Sequence, residues 1–433
     1  MKRRRTCHII LAAGGTGGHV FPASALKDEL IERGHEVTLI TDSRGYEYQE
    51  HFEGIKIHKV SSTTFTNRGL LGKLLALPKV ISSILEARQI LIRMRRTPGI
   101  VVGFGGYPSL PAVKAALSLG IPTCIHEQNA VLGRVNRYLA KSVDAVALSF
   151  EKTQKARMGR YKQVVVTGNP VRAAIVELGD KFYPDIGEER IFRILVIGGS
   201  QGASIFSEVV PQAISTLPRA LQRRLQITQQ CRAEDIDQVR DIYAKTKIAV
   251  ELSTFIPNIA QSLEWSHLVI GRAGASTIAE LTASGRAAVL VPYPQATDNH
   301  QIENAREMVI NGGAWLFNQK EFNAAELAKL LQRLAKRPRD VWRASEDARK
   351  VGKPYATKDL ADLVERLALV KGNSGSIRTL KHENTVKIEK KKPDLKEMAV
   401  QKPEDQEPED QESEAQKSDP QDKETKIAEE SVT

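Results

Sequence analysis

Four loops rich in glycine and small residues carry the first chemistry visible in this chain, because each follows a run of strand-forming residues. GGTGGH (14–19) follows HIILAA, GFGGYPS (103–109) follows GIVV, GGSQGAS (198–204) follows RILVI, and GRAGASTIAEL (271–281) follows HLVI. A strand that ends in such a loop and opens a helix turns unpaired backbone amides outward, which suits a phosphate or a sugar oxygen. In the fourth loop Ser276 and Thr277 open a helix that carries Glu280. Amides and hydroxyls there suit a diphosphate, and the glutamate can accept both hydrogen bonds of a ribose diol. The alternative is an ordinary N-capped helix with Glu280 as capping-box partner. Downstream, PYPQATDNHQIENA (292–305) crowds Asp298, Asn299, His300 and Gln301 into one polar turn, suited either to reading sugar hydroxyls or to plain solvation. One glycine loop is more often a steric turn than a ligand cradle, so the repetition is the signal.

A dinucleotide fingerprint would need G-x-G-x-x-G and an acid about 20 positions on. The first loop lacks that spacing, although Asp42 at the end of the second strand could imitate the ribose acid and keeps an oxidoreductase in view.

The elements that must position these loops follow a βαβα rhythm. Strand runs HIILAA, EVTLIT, KIHKV, IVVGFG, PTCIH, AVALSF and VVVTG come first, then RILVIGG, LQITQQ, IAVEL, HLVIGRA and AAVLVPY. Near-continuous Val/Ile/Leu strands alternating with helices argue for parallel sheets covered on both faces. The rhythm restarts at RILVIGGSQGAS after a polar stretch, which divides the chain into residues 1–172 and 173–370, two Rossmann-like α/β domains. Residues 371–433 hold KIEKKK and then Pro/Glu/Asp/Gln blocks without an aromatic side chain, a composition expected to stay disordered.

Charge narrows the partners only partly. The chain carries +11, and residues 401–433 hold four lysines against twelve acids, a local −8 that leaves +19 on residues 1–400. Such a field suits anionic lipid, a phosphorylated substrate or nucleic acid; dispersed basic residues without an aromatic stacking motif argue against the last. No apolar run approaches the roughly 20 residues that span a bilayer, and the apolar start opens directly into a glycine loop rather than a cleavage site. Cys7, Cys124 and Cys231 are odd in number and far apart, so neither a disulfide framework nor a zinc site is expected and a reducing compartment fits.

GGTGGHVFPA, GFGGYPSLPA, HEQNAVLGRVNR, TGNPVR, GGSQGA, GASTIAEL and DNHQIENA, in this order, resemble the MurG family from about residue 7 to about residue 365. That resemblance implies a GT-B fold, two Rossmann-like parallel-sheet domains facing a cleft, beside the disordered C-terminal tail. It implies inverting transfer of N-acetylglucosamine from UDP-N-acetylglucosamine to the 4-hydroxyl of a lipid-linked muramyl-pentapeptide, lipid I to lipid II, in peptidoglycan synthesis. Another GT-B glycolipid transferase or a nucleotide-sugar epimerase is the alternative, but neither should carry both GFGGYP and HEQN.

Residue by residue, the family motifs put Thr16, Gly17, Gly18 and Asn129 beside the donor sugar and its phosphates, and Arg172 and Ser200 at the diphosphate. Ile256 matches the position whose backbone reads uracil. Ala275, Ser276, Thr277, Ile278, Ala279 and Glu280 would hold diphosphate and ribose, with Gln301 on the N-acetylglucosamine hydroxyls. His19, at the rim of the first loop, is the expected general base, with Glu127 in reserve and His126 read as structural. No cofactor or metal is expected. The family's acceptor requires the cytoplasmic face of the bacterial inner membrane, a peripheral location in which cell-wall or division proteins are possible partners. The stretch 68–96 offers Leu70, Leu71, Leu74, Leu75 and Leu77 with Lys73, Lys79, Arg93, Arg95 and Arg96 as an amphipathic, basic-rimmed contact for anionic lipid.

Overall fold

The computed structural model describes residues 6–61, 70–94, 96–199 and 202–370. Among them, thirteen strands form two sheets in which every pairing is parallel. The first contains β1 (His8–Ala12), β2 (Glu36–Thr41), β3 (Lys56–Lys59), β4 (Ile100–Gly103), β5 (Thr123–Glu127), β6 (Ala145–Leu148) and β7 (Val164–Val166), in the order β3-β2-β1-β4-β5-β6-β7. The second contains β8 (Phe192–Ile197), β9 (Leu225–Gln230), β10 (Ala249–Ser253), β11 (Leu268–Gly271), β12 (Ala287–Leu290) and β13 (Ala314–Leu316), in the order β10-β9-β8-β11-β12-β13.

Burial explains which segments became which strands. β1, β4, β5 and β6 are buried at every residue, as strands covered by helices on both faces must be. The edge strand β3 instead exposes Lys56 and Lys59, charges that discourage further pairing. Each sheet reverses strand order once, between β1 and β4 and between β8 and β11. In open α/β sheets the crevice at such a reversal, at the carboxyl ends of the strands, is where ligands bind. The four loops singled out from sequence follow these four strands.

The last helix, Ala356–Val370, departs from the division at residue 172. Leu360, Ala361, Leu363, Val364 and Ala368 pack into the core of the first sheet with Ile9, Leu11, Leu26 and Leu30. Arg33, beyond the end of helix Gly17–Glu32, fixes the crossing through Asp362 at 2.5 Å and Glu365 at 3.1 Å. An apolar stripe at i, i+3 and i+4 demands a partner, and the first sheet supplies it. No helix among the described residues is long and apolar enough to cross a membrane.

Candidate active site

β1 delivers the first loop. Thr16 caps helix Gly17–Glu32 with extended backbone and no side-chain cap bond, which leaves its hydroxyl exposed. Gly18 is exposed beside it, whereas Gly17 lies under the Phe21 ring, where a Cβ would sit 2.7 Å from a ring carbon. The amides of Gly17 and Gly18, first in the helix, have no carbonyl one turn back to bond. Asp42, the potential ribose acid, is buried and accepts from the Gly45 amide at 2.9 Å and from Arg44 at 3.2 Å. Its use as a helix cap removes the dinucleotide reading.

His19 is half-buried, and its Nδ1 lies 3.1 Å from the Gln128 side-chain oxygen. The second glycine loop, expected to face a ligand, packs on this ring instead. Gly105 and Gly106 have φ of +78° and +68°, and a Cβ on Gly106 would stand 3.3 Å from His19 Nε2. Two successive left-handed residues without side chains are what lets the imidazole sit there.

Glu127, the reserve base, is held by its partners. Its Oε1 accepts from the backbone and side-chain amides of Asn129 at 3.1 and 3.2 Å, and its Oε2 from Gly133 N at 2.8 Å and Asn136 Nδ2 at 2.9 Å. A buried carboxylate with four donors organises the loop after β5 and has no free face for a substrate proton. His126 is structural, as read: its Nε2 meets the Gly168 carbonyl at 3.0 Å, and burial pushes its pKa down to about 4. Gln128, between His126 and His19, was missed although it sits inside HEQN.

On the second sheet, Gly274 caps helix Ala275–Ser284 without a side-chain bond, so the capping-box reading of Glu280 fails: Glu280 lies too far along the helix. The run 275–280 does not act as a block. A helix turns about 100° per residue: Ile278 lies in the core with Ala279 packed against it, and Ala275 is buried. Only backbone can serve from those three. Ser276 Oγ is buried without a hydrogen-bond partner, at the turn whose amides are free. Glu280 is paired with Arg172 at 2.8 Å, and its pKa is raised by burial against the opposing pull of Arg172. That ion pair brings together two residues assigned to the donor from opposite halves of the chain, and Arg172 also lies 5.3 Å over the Phe21 ring. Ser200 lies outside the described residues.

The polar turn is strained and clamped. Asp298 and Asn299 are both left-handed, at φ of +58° and +53°. Asp298 reaches Lys155 at 2.5 Å and Arg137 at 3.3 Å, and those cations, Lys155 first, hold its pKa down. Gln301 Oε1 accepts from Tyr293 N at 2.8 Å. Asn304, one turn on and also missed, is fully buried: its oxygen accepts from Ala130 N at 2.8 Å, and its Nδ2 donates to Asn129 Oδ1 and the Ala273 carbonyl, both at 3.2 Å. Asn129, expected at the sugar, is thereby tied across the two sheets. Ile256 packs against the same core as Ile278 and Ala279 and lines an open groove of about 520 Å³ with Thr228, Glu251, Phe255 and Trp265. Among the described residues no cluster of three or more His, Cys, Asp or Glu could hold a metal ion.

This geometry has relatives. The glycosyltransferase family 28 N-terminal domain matches residues 9–148 and the C-terminal domain of that family matches residues 193–367. The chain is 50% identical over 376 residues to the "UDP-N-acetylglucosamine--N-acetylmuramyl-(pentapeptide) pyrophosphoryl-undecaprenol N-acetylglucosamine transferase" of Zymomonas mobilis, covering 87% of this chain and 96% of that one. The same-named protein of Sphingopyxis alaskensis is 48% identical, with 84% and 92% covered. The crystal structure of Acinetobacter baumannii MurG superposes with a TM-score of 0.65 at 31% identity, over 83% of this chain and 99% of that one. Two parallel-sheet domains with such a neighbour are the GT-B fold, and the chain belongs to the MurG family of glycosyltransferases.

Proposed function

We propose that this chain moves N-acetylglucosamine from UDP-N-acetylglucosamine to the 4-hydroxyl of the muramyl sugar in undecaprenyl-diphosphate-muramyl-pentapeptide, with inversion. Beyond kinship, the supporting observation is the pairing of two helix N-termini across the cleft. One presents an oriented imidazole, the other free amides with an unpartnered serine hydroxyl, and their helices touch.

In this reading His19 Nε2 takes the proton of the acceptor hydroxyl as its oxygen bonds to C1 of the donor sugar. The C1–O bond to the diphosphate breaks and UDP leaves from the opposite face. Negative charge grows on the departing diphosphate, where the amides at 275–277, the Ser276 hydroxyl and Arg172 act as preorganised donors, with Ser200 assigned there by its motif. The ribose diol takes over Glu280, which releases Arg172 from its ion pair toward the phosphates. Thr16 and Gly18 offer the first-domain side of the sugar site, with Asn129 and Gln301 completing it, and Ile256 reads the uracil.

The enzyme meets its acceptor as a peripheral protein on the cytoplasmic face of the inner membrane. Helix Leu70–Arg93 supports this with Ile81, Leu85 and Ile92 more than half exposed among exposed Lys79, Arg88 and Arg93. The side chains of 70–77, which the sequence reading favoured, lie outside the described residues. Incubation with UDP-N-acetylglucosamine and the lipid-linked muramyl-pentapeptide should release UDP only when both are present. Release independent of acceptor would refute the proposal, and the same assay with EDTA reads any dependence on a divalent metal.

A further inference from the structure

A chain of hydrogen bonds runs from the interdomain segment to His19 and has one consistent arrangement of protons. The His126 ring is fully buried, with Nε2 at 3.0 Å from the Gly168 carbonyl, which can only accept; Nε2 therefore carries the hydrogen. Burial keeps this ring neutral, so its Nδ1 is a bare lone pair and must accept. Its neighbour is Gln128 Nε2 at 3.1 Å, which also lies 3.4 Å from the His126 carbonyl. A flipped amide would set its oxygen against two acceptors, so the NH₂ faces His126 and the oxygen faces His19 Nδ1 at 3.1 Å. That oxygen accepts, and Nδ1 of His19 carries the hydrogen.

From this geometry we infer that Gln128, anchored by His126, is a positioning residue that fixes the His19 tautomer and leaves the Nε2 lone pair as the proton acceptor. The inference rests on the proposed base role of His19 and deepens it. Nε2 has no hydrogen-bond partner among the described residues, and a Cβ on Gly106 would stand 3.3 Å from it. Gln128 itself is almost wholly buried, so it acts through His19 rather than on a substrate. A neutral imidazole of the other tautomer would present a hydrogen to the acceptor hydroxyl and could not take its proton.

Two measurements test this on the full chain. In the ¹⁵N spectrum of histidine-labelled protein, with His19→Ala supplying the assignment, His19 should show a protonated Nδ1 and a bare Nε2 above its titration; the reverse tautomer overturns the inference. This reading needs no substitution at Gln128, so it stands even if such variants fold poorly. In kinetics, Gln128→Leu should lower kcat about 10- to 100-fold, the range of outer-shell positioning effects, with both KM values nearly unchanged. Gln128→Glu, which still offers an acceptor to Nδ1, should recover part of that kcat. It should also move the acid limb of the pH profile upward, because a carboxylate beside the ring favours imidazolium. Equal losses in the two variants with an unmoved pH profile would overturn it. Wild-type kcat in His19→Ala would remove the base role instead, a result separate from the tautomer itself.

Discussion

On the first-domain wall of the cleft every polar side chain of HEQN is satisfied: His126, Glu127, Gln128 and Asn129 all have partners, and Glu127 has four donors. The second-domain wall leaves Ser276 Oγ buried with no partner and holds Glu280 by a single ion pair to Arg172. The proposed roles account for the difference. A group that takes a proton must be aimed beforehand, since orientation gained during the reaction would be lost from the rate. A group that grips a ligand must exchange its partners for those of the ligand, so full satisfaction beforehand would oppose binding.

Breaking the aimed wall should give the largest effect. His19→Ala is expected to cut kcat by about 10²- to 10⁴-fold, the usual range for a general base, measured as acceptor-dependent UDP release. The same wall carries an acid sensitivity. His126 is pushed by burial from 6.5 to about 4, so between those values the unfolded chain binds more protons than the native one. Stability should therefore be full above about pH 6.5 and decline toward pH 4, by about 3 kcal/mol from this ring, read by denaturant unfolding across the window. His267 behind the second wall is also held down to about 4 by burial and adds in the same direction.

On the gripping wall, Glu280→Gln should weaken UDP affinity about 10- to 100-fold in calorimetry, the worth of charge-assisted hydrogen bonds, with a smaller change in kcat at saturation. Asn304→Ala tests the seam between the walls: it leaves Ala130 N, Asn129 Oδ1 and the Ala273 carbonyl short of a partner. The expected cost is about 1–3 kcal/mol of stability in the same unfolding experiment. Asp298→Asn, which removes the charge but keeps a residue that tolerates φ of +58°, should cost under about 1 kcal/mol at this partly exposed ion pair and be sensitive to salt.

The sheet architecture was legible because the central buried strands are apolar throughout while edge strands such as β3 and β10 still carry apolar residues in short runs, and the quoted runs fall on β1 to β12. β13 escaped because Ala314–Leu316 holds no β-branched residue, whereas the equally short β7 is three valines. The return of Ala356–Val370 to the first core is a tertiary choice between two apolar sheets, to which helical periodicity is blind. The loops were visible as glycine after strand, but the use of Gly105 and Gly106 was not, since making room for an imidazole and cradling a phosphate need the same residue. Glu127 resembled a base because type and position say nothing of the four donors that fold around it. Asn304 and Gln128 lay inside quoted motifs, yet nothing in their own types foretells a partner about 175 or 109 positions away.

The division of labour between the walls is tested most directly by one paired measurement on His19→Ala: its UDP affinity by calorimetry beside its kcat with donor and lipid-linked acceptor. Wild-type affinity with kcat down at least about 100-fold is the expected result. A kcat near wild type, or a matching loss of UDP affinity, would contradict it.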